Sequence, residues 1–278
     1  MAMLERLQAD PTIPHGELRI CFTPDEEVGS GVDFLDVKKY GAHVAYTIDG
    51  GEIGELEDEN FNAFSAELKV HGVEVHPGYA YGMLENASRA IGQFVGKLPV
   101  GEAPETTKER QGYIHPIEIG GNASEAYVRL IIRSFEMDEI ERYHHLLEEM
   151  VESLKPEYPH SKFELTWKES YRNMKEQLDK HPELVKYAHR AMEMTGIDVL
   201  RKPIRGGTDG ARLSFMGIPT PNIFAGGVNF HSKREFVPVQ VMEKCVDVLQ
   251  NLVQLFSSVT KDSATWECAW DEKHEDRS

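Results

Sequence analysis

Asp25, Glu26 and Glu27 stand side by side in ICFTPDEEVGSG, directly after an apolar run. Like charges at that spacing repel, and burial makes their ionisation costlier still. Either water solvates the cluster or positive charge sits among it. Neighbouring residues at the end of an extended segment point different ways, so two adjacent carboxylates can hold separate tasks. One can ligate a cation while the other takes a proton from a water whose pKa zinc lowers to about 7. For an isolated triplet of acids, a solvated turn is the commoner meaning.

Other residues invite the same two-sided reading. Asp49 ends the apolar run in YTIDGG, where it can cap a turn or serve as a hard oxygen ligand for zinc or manganese. His231, in GGVNFHSKREF, lies in a Gly-Asn loop as an imidazole ligand or as one exposed histidine among 12. In PIRGGTDGARLSFMG, Arg205 offers a planar fork to a carboxylate, Gly206 and Gly207 allow close approach of a ligand, and Thr208-Asp209 can cap the next helix. His76 in VEVHPG and Arg133 in IIRSF stand at strand ends; each reads locally as a rim residue, or as a donor to an oxyanion or terminal carboxylate.

These residues need elements to position them. Leu18–Phe22 and Val44–Ile48 read as short strands, Gly31–Tyr40 as weakly helical, and MAMLERLQAD as the last turns of an amphipathic helix with Met3, Leu4 and Leu7 on one face. Short apolar strands ending in acids or glycines suggest a mostly parallel sheet, where ligands collect at the carboxyl ends. The middle of the chain differs. It predicts a strand over Phe61–His71, a helix over Glu85–Lys97 with Ala87, Ala90, Ile91 and Phe94 inward, strands over Tyr113–Ile119 and Ala126–Arg133, a helix over Met137–Leu154 and a strand over Lys162–Trp167. That β-α-β-β-α-β order is ferredoxin-like. The first style then resumes with helices over His181–Thr195, Gly210–Met216 and Val239–Val259 and a strand within Ile218–Phe224. The reading is an α/β protein, a mostly parallel-sheet domain over 1–59 and 172–260 interrupted by an α+β domain at 60–171, with an acidic, loosely attached tail at 261–278.

Bulk properties narrow the function. The 278 residues are 40% hydrophobic and 28% charged, which supports a real core. With 30 Lys+Arg against 47 Asp+Glu, the net charge of −17 disfavours nucleic acid and anionic membranes as partners. No apolar run approaches the roughly 18 residues of a membrane span. Cys21, Cys245 and Cys268 are too few and scattered for a disulfide framework, which suits a cytoplasmic protein.

Taken together, IPHGELRICFTPDEEVGSG, YTIDGGEIGELEDENFNA, VHPG, IIRSF, PIRGGTDGARLSFMGIPTPNIFAGG and NFHSKREFV, in that order over residues 13 to about 257, resemble the peptidase T family. These are tripeptide aminopeptidases of the zinc-dependent exopeptidase clan that includes aminoacylases and dipeptidases. The resemblance implies a two-metal catalytic domain carrying a smaller lid. It implies Glu26 as general base, Glu27 and His231 as ligands of one Zn2+ (Mn2+ or Co2+ being alternatives), and Asp49 as ligand of a second. It also implies His76 polarising the scissile carbonyl and Arg133, Arg205, Gly206 and Gly207 binding the substrate. The partner is a small peptide. A homodimer through the lid helix Met137–Leu154 is one use of that face; packing on its own sheet is the better-supported one.

In the family, a His-x-Asp motif and an aspartate bridging both metals lie upstream of the segment matched by Met1. Neither appears here, so the sequence predicts an incomplete parallel sheet with an open apolar edge. A catalytic zinc takes three protein ligands plus water. Weak metal binding and impaired hydrolysis are therefore expected of this polypeptide alone. The alternatives are a non-catalytic fragment or interaction protein that keeps the lid, and, within the clan, a dipeptidase, carboxypeptidase or deacylase.

Overall fold

A computed structural model describes residues 1–257; the expected acidic tail at 261–278 and the last residues of the closing helix lie outside them. In chain order the elements are Ala2–Ala9 (α1), Val37–Tyr40 (α2), Thr47–Gly50 (β1), Glu55–Glu57 (β2), Asn62–His71 (β3), Ala87–Gly96 (α3), Tyr113–Gly121 (β4), Glu125–Ser134 (β5), Met137–Leu154 (α4) and Lys162–Tyr171 (β6). Lys175–Leu178 (α5), Pro182–Met194 (α6), Leu200–Arg201 (β7), Asp209–Phe215 (α7), Asn222–Phe224 (β8) and Val239–Phe256 (α8) follow. Contacts divide the chain into two compact units, residues 61–173 and the flanking residues 1–60 with those from 174 onward.

The 61–173 unit is a four-stranded sheet in the order β4-β5-β3-β6, every pairing antiparallel. Two-residue periodicity puts Phe64, Ala66, Leu68 and Val70 of β3 on the same buried face as Ala126, Val128, Leu130 and Ile132 of β5. Ala87, Ala90, Ile91 and Phe94 of α3, with Ile140, Tyr143, Leu147, Met150, Val151 and Leu154 of α4, close the same core. Asn86 starts α3 by accepting a hydrogen bond from the Arg89 N–H. The apolar face of α4 is thus used within its own unit. This is the ferredoxin-like arrangement, one strand (β6) running on past Trp167 because β3 offers ladder partners up to Tyr171.

The flanking unit has a sheet in the order β1-β8-β2-β7, with β1/β8 and β2/β7 parallel and β2/β8 antiparallel. Helices α6 and α8 cover it through Tyr187, Ala188, Ala191 and Met192 against Val248, Leu252 and Leu255. Met3 and Leu7 of α1 pack with Val253. Strand β1 stands at the edge, and its Ile48 is 48% exposed.

Three expectations need correction. Leu18–Phe22 is extended but not a strand: a strand is made by its ladder, no described segment pairs with it, and Phe22 is 78% exposed. The Val44–Ile48 strand starts later and runs on, as β1 over Thr47–Gly50, while the strand expected within Ile218–Phe224 is β8. The Ala45 and Thr47 N–H groups donate to the Pro219 and Pro221 carbonyls, but these prolines have no N–H to return. Only Val37–Tyr40 of the expected Gly31–Tyr40 segment is helical, started by the Asp36 carboxylate accepting from the Lys38 and Lys39 N–H groups and stopped by Gly41 at φ 65°.

Candidate functional site

The three adjacent acids form a single tight turn. Asp25 takes a left-handed φ of 59° and Gly29 one of 73°, with one 3-10 turn, Glu26–Val28, between them. The Gly29 N–H donates to the Glu26 carbonyl at 2.6 Å, and the Ser30 N–H to the Asp25 carbonyl at 3.0 Å. Asp is among the few non-glycine residues that visit this region readily. The turn is tied to α7: Thr23 Oγ1 donates to Asp209 Oδ2 at 2.7 Å. Arg212 pairs with Asp33 and donates to the Gly29 carbonyl. Gly31 is where this docking demands a missing side chain, since a Cβ there would lie 2.2 Å from Asp209 Oδ2.

Asp49 is placed by an irregularity in β1. In the ladder with β8, Ile48 faces Ile223 and Gly50 faces Phe224, so Asp49 is the extra residue between them. Such a bulge re-aims a side chain. The Asp49 N–H donates to Asn222 Oδ1 at 3.1 Å. Thr208 serves twice: its hydroxyl donates to the Asp49 carboxylate and accepts from the Gly210 N–H at the start of α7. His231 sits in the loop closed by the Val228–Phe236 bridge, at φ 60°, its N–H donating to Glu235 Oε2 at 2.8 Å. Its Nε2 lies 3.5 Å from Glu27 Oε2, both side chains being well exposed.

Electrostatics records the convergence. Glu26 is pushed from 4.5 up to about 7, first by desolvation and then by the charges of Asp49, Asp209 and Glu27, with His231 pulling the other way. Asp49 reaches solvent, yet protein surrounds most of it. Desolvation raises its pKa, the Thr208 hydrogen bond opposes this, Asp209 and Glu27 raise it further, and His231 lowers it. Four carboxylates and one imidazole therefore share a field.

Of the residues singled out in the sequence, Glu26, Glu27, Asp49 and His231 are brought together. Arg205 and Gly206 form the bend between the Asn60–Ile204 bridge and Thr208, with Gly207 following. A Cβ on Gly206 would meet only Ile204, at 3.9 Å, so protein packing does not require glycine there. His76 and Arg133 belong to the 61–173 unit. His76 Nδ1 accepts from the Gly78 N–H at 3.1 Å and its ring lies beside Tyr79. Arg133 Nη1 donates to the Phe64 and Ile132 carbonyls at 3.0 and 2.8 Å, with the guanidinium over Tyr171.

Sequence reasoning assigned Asp209 only a capping task and passed over Glu57 and Asn222. Asp209 is 5% exposed and is the third carboxylate around Glu26. The flanking glycines of GGTDG were its available signal. The donor chemistry of Glu27, Asp49 and His231 fits a divalent cation, which would offset the crowded negative charge. Donor number falls short: among the described residues no group of three His, Cys, Asp or Glu converges to hold a metal ion.

A mostly parallel sheet with Asp49 at a strand bulge, on a chain that also forms a ferredoxin-like unit, is the combination found in one family of known proteins. The chain belongs to peptidase family M20/M25/M40, whose family model matches residues 1–255. It is 46% identical over 252 residues to Peptidase T of Shewanella sediminis, covering 91% of this chain and 62% of that protein. The chain thus spans about three-fifths of the length of the curated relatives it matches. Among solved structures, aminopeptidase PepT from Bacillus cereus aligns with a TM-score of 0.75 at 22% identity, over 91% of this chain and 67% of that one. YXEP from Bacillus subtilis, described as a dinuclear metal binding peptidase of the M20 family, aligns with a TM-score of 0.65 at 14% identity, over 91% and 68%.

Proposed function

We propose that this chain carries part of the apparatus of a metal-dependent aminopeptidase that releases the N-terminal residue of tripeptides. The identity to Peptidase T and the M20 family support the reaction class. The observation that carries the site assignment is the Glu27–His231 pair beside Glu26, whose carboxyl desolvation and the neighbouring acids push up to about 7.

A carboxyl poised near pH 7 can accept a proton from an attacking water and return it to a leaving amine, which is the general-base role we assign to Glu26. Glu27 and His231 would hold one cation and Asp49 a second, Zn2+ being our choice and Mn2+ or Co2+ the alternatives. A bound cation would supply Lewis acidity at the peptide carbonyl. Thr208 holds the Asp49 carboxylate, and Asp209 adds negative charge that keeps the Glu26 proton affinity high. Arg205, beside Gly206 and Gly207, is assigned to a substrate carboxylate; on the 61–173 unit, Arg133 is assigned to a carboxylate and His76 to an oxyanion. The 61–173 unit would then act as the lid, and we place the protein in the cytoplasm. Its α4 surface is our assignment for a homodimer contact. No described helix is long and apolar enough to cross a membrane.

Zinc calorimetry with a tripeptide hydrolysis assay tests this. With fewer than three converging donors, the chain alone should bind zinc weakly and turn over slowly. Glu26→Gln should abolish the remaining hydrolysis while zinc affinity stays within about threefold. Tight binding of two zincs with fast turnover would overturn the partial-site reading. Absence of both zinc binding and hydrolysis would overturn the peptidase reading.

A further inference from the structure

We propose that Glu57 is a positioning residue for Asp49, acting through the side chain of Asn222. Three short strands meet at this point. Asn222 lies opposite Glu57 in the antiparallel β2/β8 ladder and opposite Thr47 in the parallel β8/β1 ladder. Asn222 is 1% and Glu57 8% exposed, so every polar atom they carry has to find a partner inside the protein.

Asn222 Nδ2 donates to Glu57 Oε2, and its Oδ1 accepts the Asp49 N–H. The two ends of an amide are alike in shape and opposite in hydrogen bonding. In its ionised form Glu57 takes hydrogen bonds only from the NH2 end, so the carboxylate fixes which way the amide points. Turned over, Asn222 would set an oxygen against the Glu57 carboxylate and an NH2 against the Asp49 N–H. That N–H stands at the β1 bulge, and the turned-over amide would face it donor to donor. Glu57 thus determines that a carbonyl oxygen stands where the Asp49 backbone needs one, and the bulge that aims Asp49 is held from behind.

The neighbouring acid makes the contrast. Glu55, two residues earlier on β2, pairs with Lys202 Nζ at 2.5 Å. Glu57 instead spends its carboxylate on a neutral amide, in a region where Glu55 and Asp49 already disfavour negative charge. A glutamate kept there against desolvation and repulsion is explained by the orientation it imposes. Partners of this kind, one step behind a ligand, typically change metal affinity 10- to 100-fold when removed.

Two measurements on the full chain test the proposal. The first is independent of metal: hydrogen exchange of the Asp49 and Thr47 amides by NMR. Glu57→Ala should speed Asp49 exchange at least about tenfold while Thr47, bonded to the Pro221 carbonyl, changes less than about threefold. Glu57→Gln, whose side-chain oxygen can still accept from Asn222, should restore most of the protection. Equal acceleration of both amides, or none, overturns the proposal, since the pair would then merely join strands. The second rests on Asp49 being a cation ligand: Co2+ affinity by absorption titration should fall about tenfold in Glu57→Ala and recover in Glu57→Gln. If wild type binds no Co2+, the ligand reading fails and the exchange result still decides the role of Glu57. If wild type binds and Glu57→Ala binds equally well, the positioning role fails.

Discussion

The two units of this chain solve the same problem to different degrees. In residues 61–173 the strands run nine or ten residues, and two amphipathic helices close one continuous core from Phe64 to Tyr158. In the flanking unit the strands are two to four residues long and the buried side chains divide among three separate clusters. Large exposed apolar residues occur in both units, Phe34 at 98% in the flanking one and Val100 at 80% in residues 61–173. That unit is also where the carboxylates crowd. The difference teaches that stability and chemistry are separated here: the regular unit closes one continuous core, and the irregular one gathers its acids on a bulge, a tight turn and loops.

The strongest way to sharpen this contrast is to delete core volume on both sides. Phe94→Ala, in the middle of the continuous core, should cost about 3–5 kcal/mol in urea unfolding, whereas Leu7→Ala, in a cluster of three buried residues, should cost about 2 kcal/mol. Equal losses would contradict the division. The next effect is pH dependence. The Glu57 carboxyl moves from 4.5 to about 7, through desolvation first and then Glu55 and Asp49. The folded chain therefore holds a proton that the unfolded chain releases between those values. Stability from this group is complete below about pH 4.5 and is lost as pH rises through about 7, on the order of 3 kcal/mol in all. Glu26 adds a change of the same sign. Glu57→Gln should flatten the curve of stability against pH, measured by denaturant melts from pH 5 to 8.

A smaller effect tests the docking of the acidic turn. Gly31→Ala should cost about 1–2 kcal/mol and lower the Glu26 pKa, followed by carboxyl carbon NMR, because Asp209 must move away. Retention of the Glu26 titration near 7 would show that Asp209 does not set it. The smallest effect belongs to the exposed Arg6–Asp247 pair at 2.6 Å: Arg6→Ala should change stability by at most about 0.5 kcal/mol. A larger loss would mean that α1 contributes more to the flanking unit than its short apolar stripe suggests.

Legibility followed the same division. Met137–Leu154 was readable to the residue because an apolar stripe at helical spacing and an 18-residue length leave little else. The inward residues of α3 were readable for the same reason. Leu18–Phe22 misled because alternation marks what a strand would bury, while a strand exists only where a neighbour supplies its ladder. The late start of β1 was written in Pro219 and Pro221, but only once it was known that β1 pairs with that segment.

By itself the sequence determined which side chains could do chemistry, since carboxylate, imidazole and guanidinium are properties of residue type. It also determined the periodic elements, because periodicity is local. Tertiary structure alone decided that Asp209 would stand against Glu26 and that Glu57 would orient Asn222 behind Asp49, across 165 residues of chain. A pKa and a hydrogen bond depend on separation in space, which a linear order of residues does not contain.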